Sequence, residues 1–213
     1  MRSFVKFGLT CAVTGWSGSG VLRVLALAFA TGLVAGAASA GPVDTKAARD
    51  ALFTGKGRSV TIFAPDFLDE DVLKAVKAYA GKFDYYAAFA VSQGDPVDTG
   101  SAVGLSNFHS VQAARDAALA ACNARRTTGA ACIVIAVTTP KRYTPQPVEL
   151  SAEASGAFRK QYRKLDPPKA FAASPMTGAW AIERGDGGRA LAGCNARAAA
   201  KGARDCAIVI FDK

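Results

Sequence analysis

The chain has 213 residues, 50% of them hydrophobic, with a formal net charge of +9 and a single histidine. One histidine is too few for a histidine-based metal site, and the length suits one domain once a leader is removed. A positive charge of this size favours an anionic partner, though only weakly.

Residues 1–40 have the layout of a secretory signal peptide. An uncharged apolar run covers 24–38, and Ala38-Ser39-Ala40 supplies the small residues that signal peptidase requires. The bases that precede this run are Arg2, Lys6 and Arg23. A transmembrane anchor is the alternative, but the run is shorter than the ~20 residues that span a bilayer.

Cleavage after Ala40 predicts a mature domain over 41–213. It loses three bases and no acid, so the net charge falls from +9 to +6. The stretch before Arg23 is long and rich in glycine and serine for a signal, which leaves the start residue open between Met1 and Val21. We expect a periplasmic or secreted protein with no membrane span after cleavage.

The periodicity of apolar residues predicts alternating helices and strands through the mature domain. It begins with an N-terminal αβα segment, namely a helix over 44–53, a strand over 59–64 and a helix over 69–80. Later elements are strands over 83–91 and 132–138, a helix capped by Ser110, and a helix from Ser151 to about Leu165.

An internal repeat underlies this order. Residues 118–125 and 190–197 differ only at Ala121 and Gly193, and a cysteine that opens an apolar run follows each copy. We match the strand over 88–91 with 179–182. The strand-to-helix connection is then longer in the first copy, which predicts an extra hairpin strand within 101–108.

The fold class that follows is α+β, with one mixed sheet built from two strand-helix-strand repeats. Repeat one covers about 83–138 and repeat two about 170–213. The linker and helix over 139–169 begin with three prolines, so we expect this segment to lie outside the packed repeats.

Four cysteines remain after cleavage, and an even number in an exported chain predicts disulfides. The repeat makes Cys122–Cys132 and Cys194–Cys206 the natural bridges, each joining the end of a helix to the next strand. Each would contribute about 3 kcal/mol in the chain-entropy model. A four-cysteine zinc site is the alternative, but neither pair has the spacing of a zinc knuckle.

The sequence contains no catalytic constellation. No Gly-x-Ser-x-Gly elbow accompanies His109, so we expect a surface or cap-adjacent histidine. A small hydrolase of an envelope polymer is the alternative function, using His109 or a carboxylate pair such as Asp84 with Asp116. That alternative requires these groups in one pocket with perturbed pKa values. No cofactor and no metal are expected.

A basic run on the helix after Ser151 is the main binding signal. Phe158, Tyr162 and Leu165 fall on one face of that helix. The opposite face is basic, and with nearby residues it predicts an anion-binding patch of Lys141, Arg142, Arg159, Lys160, Arg163 and Lys164, to which Lys169 is added. The alternative is an amphipathic surface helix with a solvated basic side.

Several segments resemble a known group of proteins: 88–92, His109-Ser110-Val111, and 118–122 with Cys132. They are similar to small secreted alphaproteobacterial proteins of unknown function. Each half also resembles a short bacterial secreted domain of unknown function with the same helix–cysteine–cysteine–strand unit. The likeness covers most of 43–213 and supplies no catalytic residues.

Relatives of this kind sometimes carry the label 5-aminolevulinate synthase. Such an enzyme needs a large cofactor domain, a Schiff-base lysine and an acid beside the pyridine nitrogen, and residues 41–213 show no such framework. The favoured function is therefore a non-enzymatic binding or interaction module of the cell envelope. Its partner would be an anionic envelope component or a protein, with no nucleic acid.

Overall fold

The computed structural model describes residues 41–53, 57–95 and 102–213. The predicted signal peptide over 1–40, and with it the choice between Met1 and Val21, lies outside the described residues. Within the described residues, five α-helices and seven strands follow one another along the chain, which confirms the α+β class. None of these described helices is both long and apolar enough to span a bilayer.

The N-terminal segment has the predicted order, with α1 at Thr45–Ala51, β1 at Arg58–Ile62 and α2 at Glu70–Ala80. Aspartate side chains cap both helices. Asp44 accepts the Ala47 N–H at 2.7 Å, and Asp69 accepts the Val72 N–H at 2.8 Å. These bonds satisfy backbone donors that have no partner inside the helix.

The first sheet contains β1, β2 at Ala87–Val91, β3 at Val103–Leu105 and β4 at Ile133–Pro140, in the order β1-β4-β2-β3. All of its pairs are antiparallel. Successive side chains of a strand point to opposite faces. Ala88 and Ala90 accordingly pack with α3 (Val111–Asn123), and Phe89 packs on the α2 side. Helices therefore cover both faces, and β4 is central as predicted.

The second sheet contains β5 at Lys169–Ala173, β6 at Trp180–Arg184 and β7 at Ala207–Asp212, in the order β6-β5-β7. Both pairs are antiparallel. Helix α5, at Gly188–Ala199, packs on one face, while α1 and α4 (Ala152–Lys160) pack on the other. The described chain thus has two antiparallel sheets, each between helices.

The prediction of a single mixed sheet is wrong, for a topological reason. Helix α3 connects β3 to β4, and α5 connects β6 to β7, as in a crossover between parallel strands. In each half a third strand, β2 or β5, lies between the two connected strands and runs opposite to both. The parallel strands therefore never pair with each other.

The two halves share the order strand, strand, helix, strand, with β2 and β5 in equivalent central positions. Both strands shift register directly after a phenylalanine, Phe89 or Phe171. Matching 88–91 with 179–182 is therefore wrong, because 170–173 occupies the equivalent place. The hairpin strand predicted within 101–108 is present as β3, antiparallel to β2. It corresponds to β6, so it is not extra to the first half. Descent of the halves from one duplicated unit stays a prediction.

The segment over 139–169 does not lie outside the core. Pro140 is the buried last residue of β4, Pro145 and Pro147 are exposed, and the chain after them covers the second sheet. Residues of this segment that are buried against α1, β5 and β7 are Val148, Leu150, Ala154, Phe158 and Tyr162. Without them, one face of the second sheet would lose its apolar cover.

Candidate anion-binding site

The predicted basic patch centres on the end of α4. The helix stops at Lys160, earlier than predicted, and a 3₁₀ turn follows at Tyr162–Lys164. Phe158 is buried against the core as expected, which fixes the inner side of the helix. The exposed cations of this segment are Lys160, Arg163 and Lys164. None of the three forms an ion pair with a carboxylate that the structure describes.

Arg159 has a different role from its exposed neighbours. It is half-buried, and its guanidinium donates to the Phe53 carbonyl at 3.0 Å, which ties α4 to the chain after α1. The Phe53 ring contacts that of Tyr143, with 5.8 Å between centroids, and Tyr143 follows exposed Arg142. Lys141 is exposed beside Arg142. The structure therefore links Arg159 to the 141–142 region through two aromatic rings.

Lys169 does not belong to this surface. Its side chain is buried, and the ammonium donates to the Leu165 carbonyl at 2.9 Å. It also lies 3.6 Å from an Asp212 carboxylate oxygen and 4.9 Å from the centre of the Tyr162 ring. The prediction that Lys169 belongs to the anion-binding patch is wrong, because Asp212 already neutralises its charge inside the second half.

Two buried tyrosines beneath the basic helix are the clearest polar anomaly in the described chain. Tyr85 is 2% exposed and Tyr86 0%, and neither hydroxyl has a hydrogen-bond partner of ordinary geometry among the described residues, although the Ser155 hydroxyl is close enough to Tyr85 to lower its pKa slightly against the effect of burial. Burial raises the pKa of both phenols, so both remain O–H donors at neutral pH. Unsatisfied buried donors are uncommon and often mark a place where a ligand or water belongs.

Tyr85 lies at the seam between the first sheet and α4. The Ala152 N–H, at the start of α4, donates to the Tyr85 carbonyl at 3.1 Å. The positive charge of Arg159 acts on Tyr85, although burial has the larger effect on the pKa of its hydroxyl. Phenol O–H groups and a guanidinium are donors suited to an oxygen-rich anion.

A glutamate at the same seam acts against an anion. Tyr143 O–H donates to a Glu149 carboxylate oxygen at 2.8 Å, and the Tyr143 ring contacts Tyr86. Burial raises the pKa of Glu149, while the hydrogen bonds from the Tyr143 hydroxyl and the Gln146 N–H act in the opposite direction. The exposed cations outside the seam therefore offer the better first contact for an anion. In the sequence, the only signal of this buried seam is the adjacent pair of tyrosines at 85 and 86.

His109 is neither exposed nor catalytic in its geometry. It is 5% exposed, its Nδ1 accepts the Ser151 N–H at 3.1 Å, and its Nε2 lies 3.1 Å from the Ala179 carbonyl. This pattern requires the neutral tautomer with the proton on Nε2. Burial lowers the pKa of His109 to about 4. Of the two expectations for this residue, the surface position is wrong, because the ring is buried in a junction between the halves. The cap-adjacent position is confirmed, since His109 precedes Ser110, the cap of α3, and bonds Ser151, the cap of α4.

The carboxylates named for a hydrolase do not meet. Asp84 is exposed and pairs with Arg58, whose guanidinium nitrogen is 3.3 Å away. Asp116 is exposed on α3 and accepts from the Gln112 side-chain amide at 2.8 Å. Ser151, whose backbone N–H contacts His109, is not a free nucleophile, because its hydroxyl accepts the Ala154 N–H as the cap of α4. No described pocket gathers these groups around His109.

The strongly perturbed carboxylate is Asp95, and its surroundings are structural. It accepts the N–H groups of Thr127, Thr128 and Gly129 at 2.9–3.0 Å. These backbone donors, first that of Thr128, hold the pKa of Asp95 far below its ordinary value. The carboxylate thereby anchors the loop between the first two cysteines to the end of β2.

Both predicted disulfides are present, Cys122–Cys132 and Cys194–Cys206. The first joins the last turn of α3 to β4, whereas the second starts inside α5, which continues to Ala199. An asparagine follows the helical cysteine of each disulfide, and its side chain accepts the backbone N–H of the other cysteine. Asn123 accepts from Cys132 at 3.1 Å, and Asn195 accepts from Cys206 at 3.2 Å. The Cys-Asn pair thus performs the same task in both halves.

Comparisons of the chain with protein-family models, curated proteins and solved structures found no match. The likeness to small secreted proteins of unknown function therefore stays a prediction.

Proposed function

We propose that the chain is an exported, non-enzymatic binding module of the cell envelope that holds an anionic envelope component at the basic end of α4. The observation that carries this proposal is the set of exposed cations at Lys160, Arg163 and Lys164, which pair with no carboxylate within 41–53, 57–95 or 102–213. They follow one another on a segment whose inner side is fixed in the core by Phe158 and Tyr162. Fixed cations cost less entropy to engage than cations on a mobile loop.

Two features support export. The cysteines that remain after the predicted leader are all paired, as expected in an oxidising compartment. The charge and apolar pattern over 1–40 fits a cleaved signal. Intact mass and non-reducing peptide mapping of the protein from the periplasm should give a start at Gly41. A retained N-terminus or free thiols would contradict export and cleavage.

A binding role is preferred to hydrolysis because the candidate acid–base groups have other partners. His109 uses both ring nitrogens in buried contacts, Asp84 pairs with Arg58, and Asp116 accepts from the Gln112 amide. General acid–base catalysis needs such groups within reach of one substrate. No described observation favours the hydrolase.

The binding test compares two triple variants of equal charge change. In the first, Lys160, Arg163 and Lys164 become glutamine, while Arg159 is kept because it holds the Phe53 carbonyl. In the control, exposed cations elsewhere on the described surface become glutamine, namely Lys77, Lys82 and Arg125. Binding of purified lipopolysaccharide and of an anionic cell-wall polymer is measured at low and physiological salt.

The wild type should bind in a salt-sensitive manner, and the first variant should lose about tenfold in affinity or more. The control should stay within about twofold of the wild type, since long-range attraction alone is largely screened at physiological salt. Equal losses of affinity in both variants would show that binding depends on net charge alone and not on the basic end of α4. No binding by the folded, oxidised wild type would reject the proposal.

A further inference from the structure

A cleft separates the two halves beside the His109 junction. Two adjoining cavities of about 580 and 320 Å³ share four lining residues: Ala117, Met176, Thr177 and Lys201. Helix α3 of the first half forms one wall, and the segments 175–177 and 201–203 of the second half form the other. Cavities of this size are typical of sites for small ligands or short segments of chain.

Close backbone contact beside the cleft joins its two walls. Gly178 approaches Asn107 so closely that a Cβ on the glycine would collide with the Asn107 carbonyl oxygen. Next to it, His109 bonds the Ala179 carbonyl. These buried contacts fix the walls relative to each other, so a ligand would enter a preformed site and would not have to organise it.

The two walls of the cleft carry different kinds of apolar side chain. On α3 the cleft is lined by Ala113, Ala117 and Ala120, which project no further than Cβ and let a chain lie close to the helix. Opposite them stands Met176, whose side chain is 65% exposed. Its backbone is nevertheless fixed, because Asp205 accepts the Met176 N–H at 2.9 Å. A flexible thioether on a fixed backbone suits an adaptable apolar contact.

Opposite charges face each other across the cleft. The Lys201 ammonium donates to the Thr177 carbonyl at 3.0 Å, which leaves two of its donors free. On the other wall, Asp116 accepts from the Gln112 amide, and its second carboxylate oxygen has no partner among the described residues. Neither charge forms an ion pair with a described side chain.

We propose that this cleft binds an extended peptide segment of a partner protein that carries an apolar side chain beside a carboxylate. The apolar side chain packs between the alanines of α3 and Met176, the carboxylate meets Lys201, and peptide N–H groups face Asp116. A purely apolar ligand would leave both charges without partners, and a polyanion would meet Asp116. This site is separate from the basic end of α4 and does not depend on the function proposed for it.

The test uses the oxidised protein and a displayed library of linear peptides as the probe. Sequences that the library enriches are synthesised and titrated by fluorescence anisotropy. Met176 is the only methionine besides Met1, so methyl-labelled methionine provides a direct signal from the cleft. Ala120→Trp fills the cleft at an exposed position, and Ala196→Trp, exposed on α5 outside the cleft lining, is its matched control.

Enriched peptides should combine an apolar with an acidic residue, should shift the Met176 methyl signal, and should bind Ala120→Trp about tenfold more weakly or worse. Lys201→Gln should weaken the same peptides, and Ala196→Trp should bind like the wild type. The proposal is overturned if no sequence is enriched or if Ala120→Trp binds the peptides unchanged. It is also overturned if an envelope oligosaccharide, and no peptide, moves the Met176 signal.

Peptides that bind the basic end of α4, and not the cleft, are identified with the variant in which Lys160, Arg163 and Lys164 are glutamine, because that variant should no longer bind them. Loss of binding there, with Ala120→Trp unaffected, would reject the cleft and leave the proposed function standing. Loss of lipopolysaccharide binding in that variant, with peptide binding intact, would support both sites separately.

Discussion

The imidazole of His109 and the carbonyl of Ala179, with 3.1 Å between Nε2 and the oxygen, join the two halves of the molecule. The other ring nitrogen accepts the N–H of Ser151, the residue that caps α4. One buried side chain therefore connects the β3–α3 loop, the start of α4 and the approach to β6. A residue first considered for catalysis is a structural junction.

His109→Gln should lower the free energy of unfolding by about 2 kcal/mol. The glutamine amide has an acceptor and a donor, but both are attached to Cδ and cannot occupy the positions of Nδ1 and Nε2 at once, so one buried backbone group loses its partner. Urea unfolding followed by circular dichroism measures the change. Gln112→Ala, exposed on α3, should change stability by less than about 0.5 kcal/mol. A His109→Gln protein as stable as the wild type would show that the junction is not needed.

The same histidine predicts a pH dependence with a definite sign. Burial lowers its folded pKa to about 4, whereas an unfolded histidine titrates near its ordinary 6.5. Between these values the unfolded chain binds more protons, so this contribution to stability is complete above about pH 6.5 and is lost as the pH falls toward 4. The full effect is about 3 kcal/mol.

Comparing wild type and His109→Gln from pH 4 to 7 isolates that contribution. The lowered pKa values of Asp95 and Asp212 cause loss of stability only in stronger acid, and the raised pKa of Glu149 acts in the opposite direction in both proteins. The difference in stability between the two proteins should shrink as the pH falls. A constant difference would mean that His109 does not titrate in this window.

Gly178→Ala should destabilise the protein by more than backbone strain alone. Gly178 has φ of +69°, and an added Cβ would collide with the Asn107 carbonyl oxygen. Gly202→Ala is the matched control, since its φ is +82° and nothing lies within 4 Å of the added carbon. We expect about 1 kcal/mol for the control and at least 2 kcal/mol more for Gly178→Ala. Similar losses would show that the halves can separate at this point.

Tyr86→Phe should raise the free energy of unfolding by about 1 kcal/mol, because it removes a buried hydroxyl that has no described partner. Tyr143→Phe, which removes the bond to Glu149, should lower it by a similar amount. If an anion uses the Tyr86 hydroxyl, Tyr86→Phe should also weaken lipopolysaccharide binding. Destabilisation by Tyr86→Phe would indicate that an ordered water already satisfies the hydroxyl.

Local features of this protein were predictable because their causes are local. Asp44, Asp69, Ser110 and Ser151 cap the helices that follow them, as their side-chain chemistry favours. The duplicated Cys-Asn segments predicted both disulfides, because each bond closes a short loop between a helix and the next strand. The buried side of α4 was also apparent from the spacing of Phe158 and Tyr162.

The arrangement of strands was not predictable in this way. Periodicity identifies strands but not their neighbours, and pairing depends on contacts between residues far apart in the chain. The strand inserted between β3 and β4, and again between β6 and β7, converted an expected mixed sheet into two antiparallel ones. The same long-range packing drew the 139–169 segment into the core, where its apolar residues cover a face of the second sheet.

The sequence by itself determined the helix starts, the cysteine pairs and the basic character of the surface after Ser151, because these depend on neighbouring residues and on net charge. Only the tertiary structure decided what the polar groups do. It buried His109 and Lys169, tied Arg159 to Phe53, left the hydroxyls of Tyr85 and Tyr86 without described partners, and formed a cleft beside Met176. Burial and hydrogen-bond partners come from residues distant in sequence, and they set the pKa and the chemical role of each group.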